Sequence, residues 1–204
     1  MGRTQVAARE TGDAAAGDEE RRAIEQVLGG ETQAYRMLVE RHQRGVHAVI
    51  YRLVHNAADA DDLAQQAFLA AFDALPRFRL DLKFSSWLYR IAVNLAKDHL
   101  KSKKRGELGL PEGVDTREAA FAGTLPDPDS ATIAGERARL LERALARLSI
   151  ADREVLVLKD IEELPYEELR QILGRPVTAL KIRVLRARAR LKRALDELAE
   201  QGAL

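Results

Sequence analysis

Apolar residues recur every three to four positions through most of the chain, and this period predicts an all-α fold. Between residues 19 and 105 the pattern predicts four helices: Glu19–Leu28, Glu31–His55, Asp59–Leu75 and Phe84–Arg105. Helix-ending residues follow each of the first three: the pair Gly29 and Gly30, then Asn56, then Pro76. Four helices with connections this short predict a compact helical domain.

The same period returns between residues 131 and 204 and predicts a second helical domain. Its predicted helices are Ala131–Leu148, a helix capped by Ser149 or Asp152 that runs towards Ile161, Tyr166–Leu173, and a long helix from Thr178. Gly174 supplies a tight turn between the last two. A helix, a glycine turn and a second helix are the layout of a helix-turn-helix.

Two segments lack a helical period. Residues 1–18 are small and polar, which predicts a disordered tail. Residues 106–130 hold four glycines, three prolines and an acidic excess, which predicts a flexible linker. The predicted architecture is therefore two small helical domains, residues 19–105 and 131–204, joined by a flexible acidic linker, with the helix-turn-helix in the second.

The net charge of +1 hides a segmental pattern. Residues 19–105 carry 15 Lys and Arg against 11 Asp and Glu, residues 106–130 carry 1 against 6, and residues 131–204 carry 15 against 12. Between Leu169 and Leu195 nine Lys and Arg occur without one acid. A run this one-sided repels itself unless a polyanion neutralises it, so it favours DNA binding over a merely solvated helix face.

Composition narrows the setting. The chain has no cysteine, which excludes disulfides, thiolate zinc sites and thiol redox sensing within it. No apolar run approaches the 18 or so residues that span a bilayer, and the N-terminus has no apolar signal core. We therefore expect a cytoplasmic protein without direct membrane insertion.

The predicted helix Phe84–Arg105 combines aromatic, amide and cationic side chains. A ring can stack on a base, an amide can read a base edge and ammonium groups can hold the backbone of a single strand. The candidate residues are Trp87, Tyr89, Arg90, Asn94, Lys97, Lys101, Lys103 and Lys104. An amphipathic core helix with a solvated basic end explains the same composition, and composition alone favours that simpler interpretation.

A family resemblance changes this balance. WLYRIAVNLAKDHL, with the upstream DDLAQQAFLAAFDALPRF, resembles the promoter-melting and polymerase-binding domain of extracytoplasmic-function sigma factors. ELPYEELRQILGRPVTALKIRVLRARARL resembles the domain of the same family that binds the −35 element. The two matches stand in the family's order and cover most of the chain.

The resemblance implies a surface that docks on a coiled coil of the polymerase β′ subunit. The implied residues, at the start of the third helix, are Asp61, Asp62, Gln65 and Gln66. Gln66 stands where Glu is more usual, which removes one charge from this surface. The helix dipole also accounts for acids in a first turn, and we expect Phe68 to be a core residue.

The resemblance also assigns DNA contacts. In the first domain it implies that Asn94 lies beside the pocket for a flipped base of the −10 element, which can be read on its Watson–Crick edge. In the second domain, the start of a recognition helix contacts base edges, and the implied residues are Arg175, Thr178, Lys181, Arg183 and Arg186. Thr178-Ala179 and Ile182 depart from the family's usual residues, so the −35 sequence cannot be copied from relatives.

The leading hypothesis is a sigma factor without an active site. Its expected partners are core RNA polymerase through the β′ and β subunits, promoter DNA, and an anti-sigma protein that covers the polymerase-binding surfaces. A free-standing helix-turn-helix regulator is the alternative, which leaves the first domain unexplained. An enzyme is the weakest hypothesis, because the four histidines are scattered and neither a phosphate loop nor a catalytic carboxylate pair emerges. We expect no cofactor and no metal.

Overall fold

The computed structural model describes residues 17–108 and 133–201, and the structural statements below refer to these ranges. Within them the chain forms helices and turns without a strand, which confirms the predicted all-α class. The eight α-helices are α1 (17–28), α2 (Tyr35–Val54), α3 (Ala57–Ala74), α4 (Phe84–Leu108), α5 (Ile133–Ala146), α6 (Ile150–Leu156), α7 (Tyr166–Leu173) and α8 (Val177–Glu200). Most of the predicted tail and of the predicted linker lie outside the described residues.

The boundary between α2 and α3 differs from the prediction. His55, not Asn56, closes α2, with a left-handed backbone at φ 52°. Asn56 instead begins α3, because its side chain accepts a hydrogen bond from the Asp59 amide at 2.9 Å. This is the ordinary N-cap role of asparagine. The prediction that Asn56 ends the second helix was therefore wrong.

Two further caps can be compared with the sequence. The prediction that Ser85 or Ser86 caps the fourth helix was wrong, because α4 already begins at Phe84. Of the two residues proposed as the cap of α6, Ser149 is the cap: its hydroxyl accepts from the Asp152 amide at 3.2 Å.

The two helical groups share one hydrophobic core. In α2 and α4, Leu38, Ile50 and Leu88 are fully buried, and the same cluster continues into Leu156 and Leu169 of the second group. α4 lies against α7. The two predicted domains are therefore packed together in this structure.

Arg153 of α6 joins the two groups at the ends of their helices. Its fully buried guanidinium donates to the carbonyls of Leu145 at 2.9 Å, Ala146 at 2.9 Å and Leu148 at 3.2 Å, near the end of α5. It also donates to the Leu53 carbonyl of α2 at 2.6 Å. One cation thus satisfies carbonyls that helix C-termini leave without partners.

None of the described helices combines the length and apolar character that crossing a bilayer requires.

Candidate nucleic-acid interface

Most of the predicted DNA residues of α4 fall on two neighbouring stripes, because a helix turns 100° per residue. One stripe, which we call the covered stripe, faces the second helical group and carries Ser86, Tyr89 and Lys97. The adjacent stripe carries Arg90 and Asn94, with Lys101 further along, and all three are exposed. The structure therefore brings most of the predicted residues onto one side of α4 and leaves only some of them open, whereas Lys103 lies on the other side, against Asp59 of α3.

Tyr89 is held by both helical groups. Its hydroxyl donates to Glu162 Oε2 at 3.2 Å, across the interface. Burial first, and the Glu162 charge second, raise the pKa of the Tyr89 phenol, so the ring stays neutral and donates. Gly45 of α2 makes room for it, since a Cβ built there would lie 2.5 Å from the hydroxyl oxygen.

Lys97 is paired with a buried carboxylate of the second group. Its Nζ lies 3.0 Å from Glu154 Oε2, and the Glu154 side chain is only 2% exposed. Burial raises the pKa of Glu154, and the charge of Lys97 opposes that rise. The ammonium group predicted to hold a phosphate is thus neutralised inside the protein.

Glu168 of α7 makes a third contact at the beginning of α4. Its Oε1 accepts from Lys83 Nζ at 2.7 Å and its Oε2 accepts from the Ser86 hydroxyl at 2.7 Å. Glu168 is 7% exposed, so this carboxylate is both buried and paired. We call Glu154, Glu162 and Glu168 the carboxylate triad.

Trp87 lies in an aromatic cluster rather than free in solvent. Its ring centroid is 4.9 Å from that of Phe78 and 5.7 Å from that of Phe84. The indole is half-buried, so one part packs on the loop before α4 while the rest stays accessible for stacking.

The basic end of α4 is partly neutralised by acids of its own domain. Lys101 lies 3.4 Å from Asp98, and Lys103 lies 3.5 Å from Asp59. Lys104 is half-buried. The pair of Lys101 and Asp98 is exposed, and exposed ion pairs contribute little to stability. A DNA phosphate can therefore replace Asp98 as the partner of Lys101 at low cost.

The helix-turn-helix has the predicted turn. Gly174 closes α7 in a left-handed conformation at φ 64°, a backbone that favours glycine. α8 begins at Val177, one residue before the predicted start, so Thr178 lies in its first turn. Arg175 and Thr178 are exposed at this end, in the position of residues that contact base edges.

The remaining candidates of α8 separate into exposed and tethered side chains. Arg186 is exposed, and Lys181 is exposed with its ammonium 5.7 Å from the centre of the Tyr166 ring. Arg183 is half-buried and donates to Asp152 at 3.1 Å. Arg190 also pairs with this buried carboxylate. Arg183 is thus held by its own domain, whereas Arg186 and Lys181 face outwards.

Sequence reasoning missed two exposed apolar residues of α8. Ile182 is 52% exposed and Leu185 is 70% exposed, on one face among the cations. A signal was present for Ile182, which stands where the resembled family usually has a small polar residue.

A second surface lies in a groove between α2 and α3, and all of its lining residues belong to these two helices. We call it the α2–α3 groove. Asp61 and Gln65, both predicted for polymerase docking, line it, whereas Asp62 and Gln66 are exposed outside it. The other lining residues are Tyr35, Val39, Gln43, Arg44, His47, Ala64, Phe68, Leu69 and Phe72.

The groove is apolar at its floor and polar at its rim. Leu69, one of the lining residues, is 58% exposed. Tyr35 donates to the Phe68 carbonyl at 2.7 Å and fixes the floor, and Phe68 is buried as predicted. At the rim, His47 Nε2 lies 3.0 Å from Asp61 Oδ1.

A buried polar cluster lies where α2, α5 and α6 meet. His55 is fully buried, and its Nδ1 lies 3.7 Å from Glu142 Oε2, too far for a hydrogen bond. Burial, with the Arg153 charge, lowers the pKa of His55 to about 3. Burial also lowers the pKa of Arg153 to about 10, opposed by Glu142. Arg153 is therefore charged and His55 neutral at neutral pH.

No group of three or more potential metal ligands occurs among the described residues. His42 pairs with Glu20 at 2.8 Å and His99 lies 3.1 Å from Asp59, so these histidines have acidic neighbours within the fold.

A two-domain helical protein with a helix-turn-helix and a second cationic helix is a DNA-binding protein in class. Comparison with known proteins is more specific. The family described as Sigma-70 region 2 matches residues 38–106, and the family described as Sigma-70, region 4 matches residues 138–191. The chain therefore belongs to the sigma-70 family of RNA polymerase sigma factors, in its extracytoplasmic-function class.

Curated relatives cover both regions. The chain is 33% identical to the RNA polymerase sigma-H factor of Pseudomonas aeruginosa over 192 residues, 91% of this chain and 98% of that relative. It is 33% identical to the ECF RNA polymerase sigma factor SigW of Bacillus subtilis over 184 residues, 87% of this chain and 97% of the relative. The predicted resemblance is confirmed.

Solved structures show the same fold. CnrH, in complex with the cytosolic domain of CnrY, matches with a TM-score of 0.63 at 28% identity, over 88% of this chain and 99% of that chain. The sigma factor RpoE in complex with the anti-sigma factor NepR, from Bartonella quintana, matches with a TM-score of 0.62 at 23% identity, over 79% and 96%. The second likeness is one of fold alone.

Proposed function

We propose that this protein binds core RNA polymerase and directs it to specific promoters, where it recognises the −35 element and melts the −10 element. The observation that carries this proposal is the ordered pair of sigma regions, 38–106 and 138–191, within one chain. Sigma factors are initiation factors rather than enzymes, so the protein supplies specificity and the polymerase supplies the chemistry. A free-standing helix-turn-helix regulator would leave the match over the first region without a purpose.

Polymerase docking is assigned to the α2–α3 groove. Asp61 and Gln65 supply polar groups at its rim and Leu69 supplies an apolar anchor. An exposed apolar residue surrounded by polar ones is the usual composition of an interface centre. A helical coiled coil of the β′ subunit, which the family resemblance implies, fits such a groove. We extend the proposal to a contact between the second domain and the β subunit.

Promoter melting is assigned to α4. Asn94 and Arg90 are exposed for a base edge and a phosphate, and Trp87 keeps an accessible part for stacking. Once they are accessible, further side chains extend this surface, namely Tyr89, Lys97, Lys101, Lys103 and Lys104.

Recognition of the −35 element is assigned to the first turns of α8. Thr178, Lys181 and Arg186 are exposed on this helix, which enters the major groove in a helix-turn-helix, and Arg175 is exposed in the turn just before it. Arg183 contributes less directly, because Asp152 holds it.

We also propose the domain boundaries and the cellular setting. The first domain comprises residues 19–105, the linker residues 106–130 and the second domain residues 131–204. The protein works in the cytoplasm, where polymerase and promoters are. A protein inhibitor covers its polymerase-binding surfaces, a proposal supported by the solved relative CnrH, which is bound to the cytosolic domain of CnrY.

Promoter-selective initiation tests this function. Core polymerase from a related bacterium is incubated with fragmented genomic DNA, with and without the protein, and transcript 5′ ends are mapped. We expect start sites that share sequence elements near −35 and −10 and that require the protein. Lys181→Ala with Arg186→Ala should weaken initiation at every site, while Lys192→Ala, an exposed residue further along α8, should leave it near wild type. Transcripts that are unchanged by the protein would contradict the proposal.

A further inference from the structure

α8 carries two large apolar side chains on the side that faces solvent. Ile182 is 52% exposed and Leu185 is 70% exposed. They are three residues apart, so they are neighbours on one face of the helix. The opposite face packs on the domain, and Leu180 and Ala187 are buried there. Packing within the domain therefore gives no reason for an isoleucine and a leucine at these two positions.

The same face carries three candidates for −35 recognition. Thr178 lies one helical turn before Ile182, and Lys181 and Arg186 flank the apolar pair on either side. All three are exposed. Between Leu169 and Leu195 the sequence has nine Lys and Arg and no Asp or Glu. The apolar pair therefore lies within a cationic surface, which favours a polyanion as its partner.

The position of the pair in the helix-turn-helix indicates which part of the DNA it meets. Ile182 is the sixth residue of α8 and Leu185 is the ninth, counted from Val177. The N-terminal part of the second helix of a helix-turn-helix lies in the major groove and contacts base edges. Among the groups that the four bases present there, the C5-methyl of thymine is the one that apolar side chains contact.

We propose that Ile182 and Leu185 contact thymine C5-methyl groups in the −35 element, and thereby make T·A pairs part of the promoter sequence that this protein selects. The inference rests on the proposed role of α8 in −35 recognition, and it names bases that the helix reads. Side chains three residues apart on a helix have Cβ atoms about 5–6 Å apart, and successive base pairs are about 3.4 Å apart along DNA. The two thymines therefore lie at adjacent or next-but-one positions.

An apolar side chain also selects against the other bases. A guanine carbonyl or a cytosine amino group that isoleucine covers loses its water and gains no hydrogen bond, which is unfavourable. A serine or threonine at position 182 would instead bond with several different base edges. Ile182 and Leu185 therefore discriminate in two ways, by contact with the methyl group and by exclusion of G·C pairs.

The test uses the full chain with core RNA polymerase, on promoters mapped as described above. Each thymine of the −35 element is replaced singly by uracil, which lacks only the C5-methyl group, and initiation is measured at subsaturating protein. We expect uracil at one or two positions to reduce wild-type initiation about fourfold each, the loss for one methyl group that is no longer buried. Uracil in the spacer between the two elements is the DNA control and should have no effect.

Two single variants assign each methyl group to a side chain. Ile182→Ser should abolish the effect of uracil at one position, and Leu185→Ala should abolish it at another. Both residues are exposed, so we expect both variants to fold, which circular dichroism checks. Leu28→Ala, at an exposed leucine outside α8, is the matched control and should discriminate between thymine and uracil as the wild type does.

The outcomes separate this inference from the proposed function. If no start site requires the protein, the proposed function is contradicted, and the inference with it. Promoter-selective initiation from −35 elements without thymine, or wild-type initiation that uracil does not change, would overturn the inference and leave the function intact. Equal thymine-to-uracil ratios in the wild type and both variants would place the methyl contacts on other residues and would also overturn it.

Discussion

The first domain carries two candidate binding surfaces, of which one is accessible and the other is covered by the second domain. The α2–α3 groove is open, with Leu69 largely exposed among its lining residues. The covered stripe of α4 faces the second domain, where Tyr89 and Lys97 already have acidic partners. Equal sequence signals thus lead to unequal accessibility. A motif states which residues can bind, and packing decides when they are free to do so.

The largest expected effect comes from removing the cation that joins the domains. Arg153→Met leaves four backbone carbonyls without their donor and should lower the free energy of unfolding by about 3 kcal/mol or more. Urea unfolding followed by circular dichroism measures this. Arg147→Met is the control, because Arg147 is exposed and should cost less than about 0.5 kcal/mol. Equal losses would contradict the role of Arg153 in joining the two helical groups.

Acid should weaken the same junction through His55. Its folded pKa of about 3 lies below the ordinary value of 6.5, so the unfolded chain takes up a proton first as the pH falls. The folded state therefore has its full stability, as far as His55 is concerned, above pH 6.5, and it loses stability progressively as the pH falls towards 3. Between pH 7 and pH 5 the loss should be about 2 kcal/mol.

His55→Asn isolates this term, because asparagine tolerates the left-handed backbone at φ 52° and does not titrate. Burial raises the pKa of Glu142 nearby, which gives the opposite slope, but that contribution is common to both proteins. Urea unfolding of wild type and variant at the two pH values is the measurement. Parallel losses in the two proteins would mean that His55 is not the titrating group.

The smallest effect concerns the space around Tyr89. Gly45→Ala places a methyl group 2.5 Å from the Tyr89 hydroxyl, so the ring must shift and its bond to Glu162 weakens by about 1 kcal/mol. Alanine stabilises α2 by a similar amount, so total stability is a poor readout. The distribution of distances between the two helical groups, measured by pulsed dipolar spectroscopy between spin labels at Gln33→Cys and Lys192→Cys, is the better readout, and it should include a fraction of molecules with longer distances. Gly29→Ala, where the added Cβ has ordinary contacts, should show none.

Local signals were enough to predict the helices and the turn at Gly174. The apolar period placed α2, α3, α7 and α8 within a few residues, because burial of one face per helix depends on nearby positions. Asn56 was misassigned because asparagine is favoured at both ends of a helix, and only the Asp59 bond distinguishes them.

The contacts between the domains could not be predicted in the same way. Glu154 and Glu168 read as ordinary helix acids, since the residues they meet, Lys97 and Lys83, are far away in the sequence. Leu69 carried no signal either, because an exposed leucine and a buried one look alike in a periodic pattern. The helices that carry these residues were therefore predictable from the sequence, but the pairings between them were not.

The central claim is that this sigma factor meets polymerase through the open groove, and co-elution with bacterial core RNA polymerase tests it most directly. Leu69→Arg, inside the groove, is compared with Leu28→Arg, which alters another exposed leucine at the end of α1. We predict that wild type and Leu28→Arg co-elute with polymerase, and that Leu69→Arg binds at least about 30-fold more weakly, as for an interface hot spot. Equal binding by the two variants, or no binding by the wild type, would contradict the account.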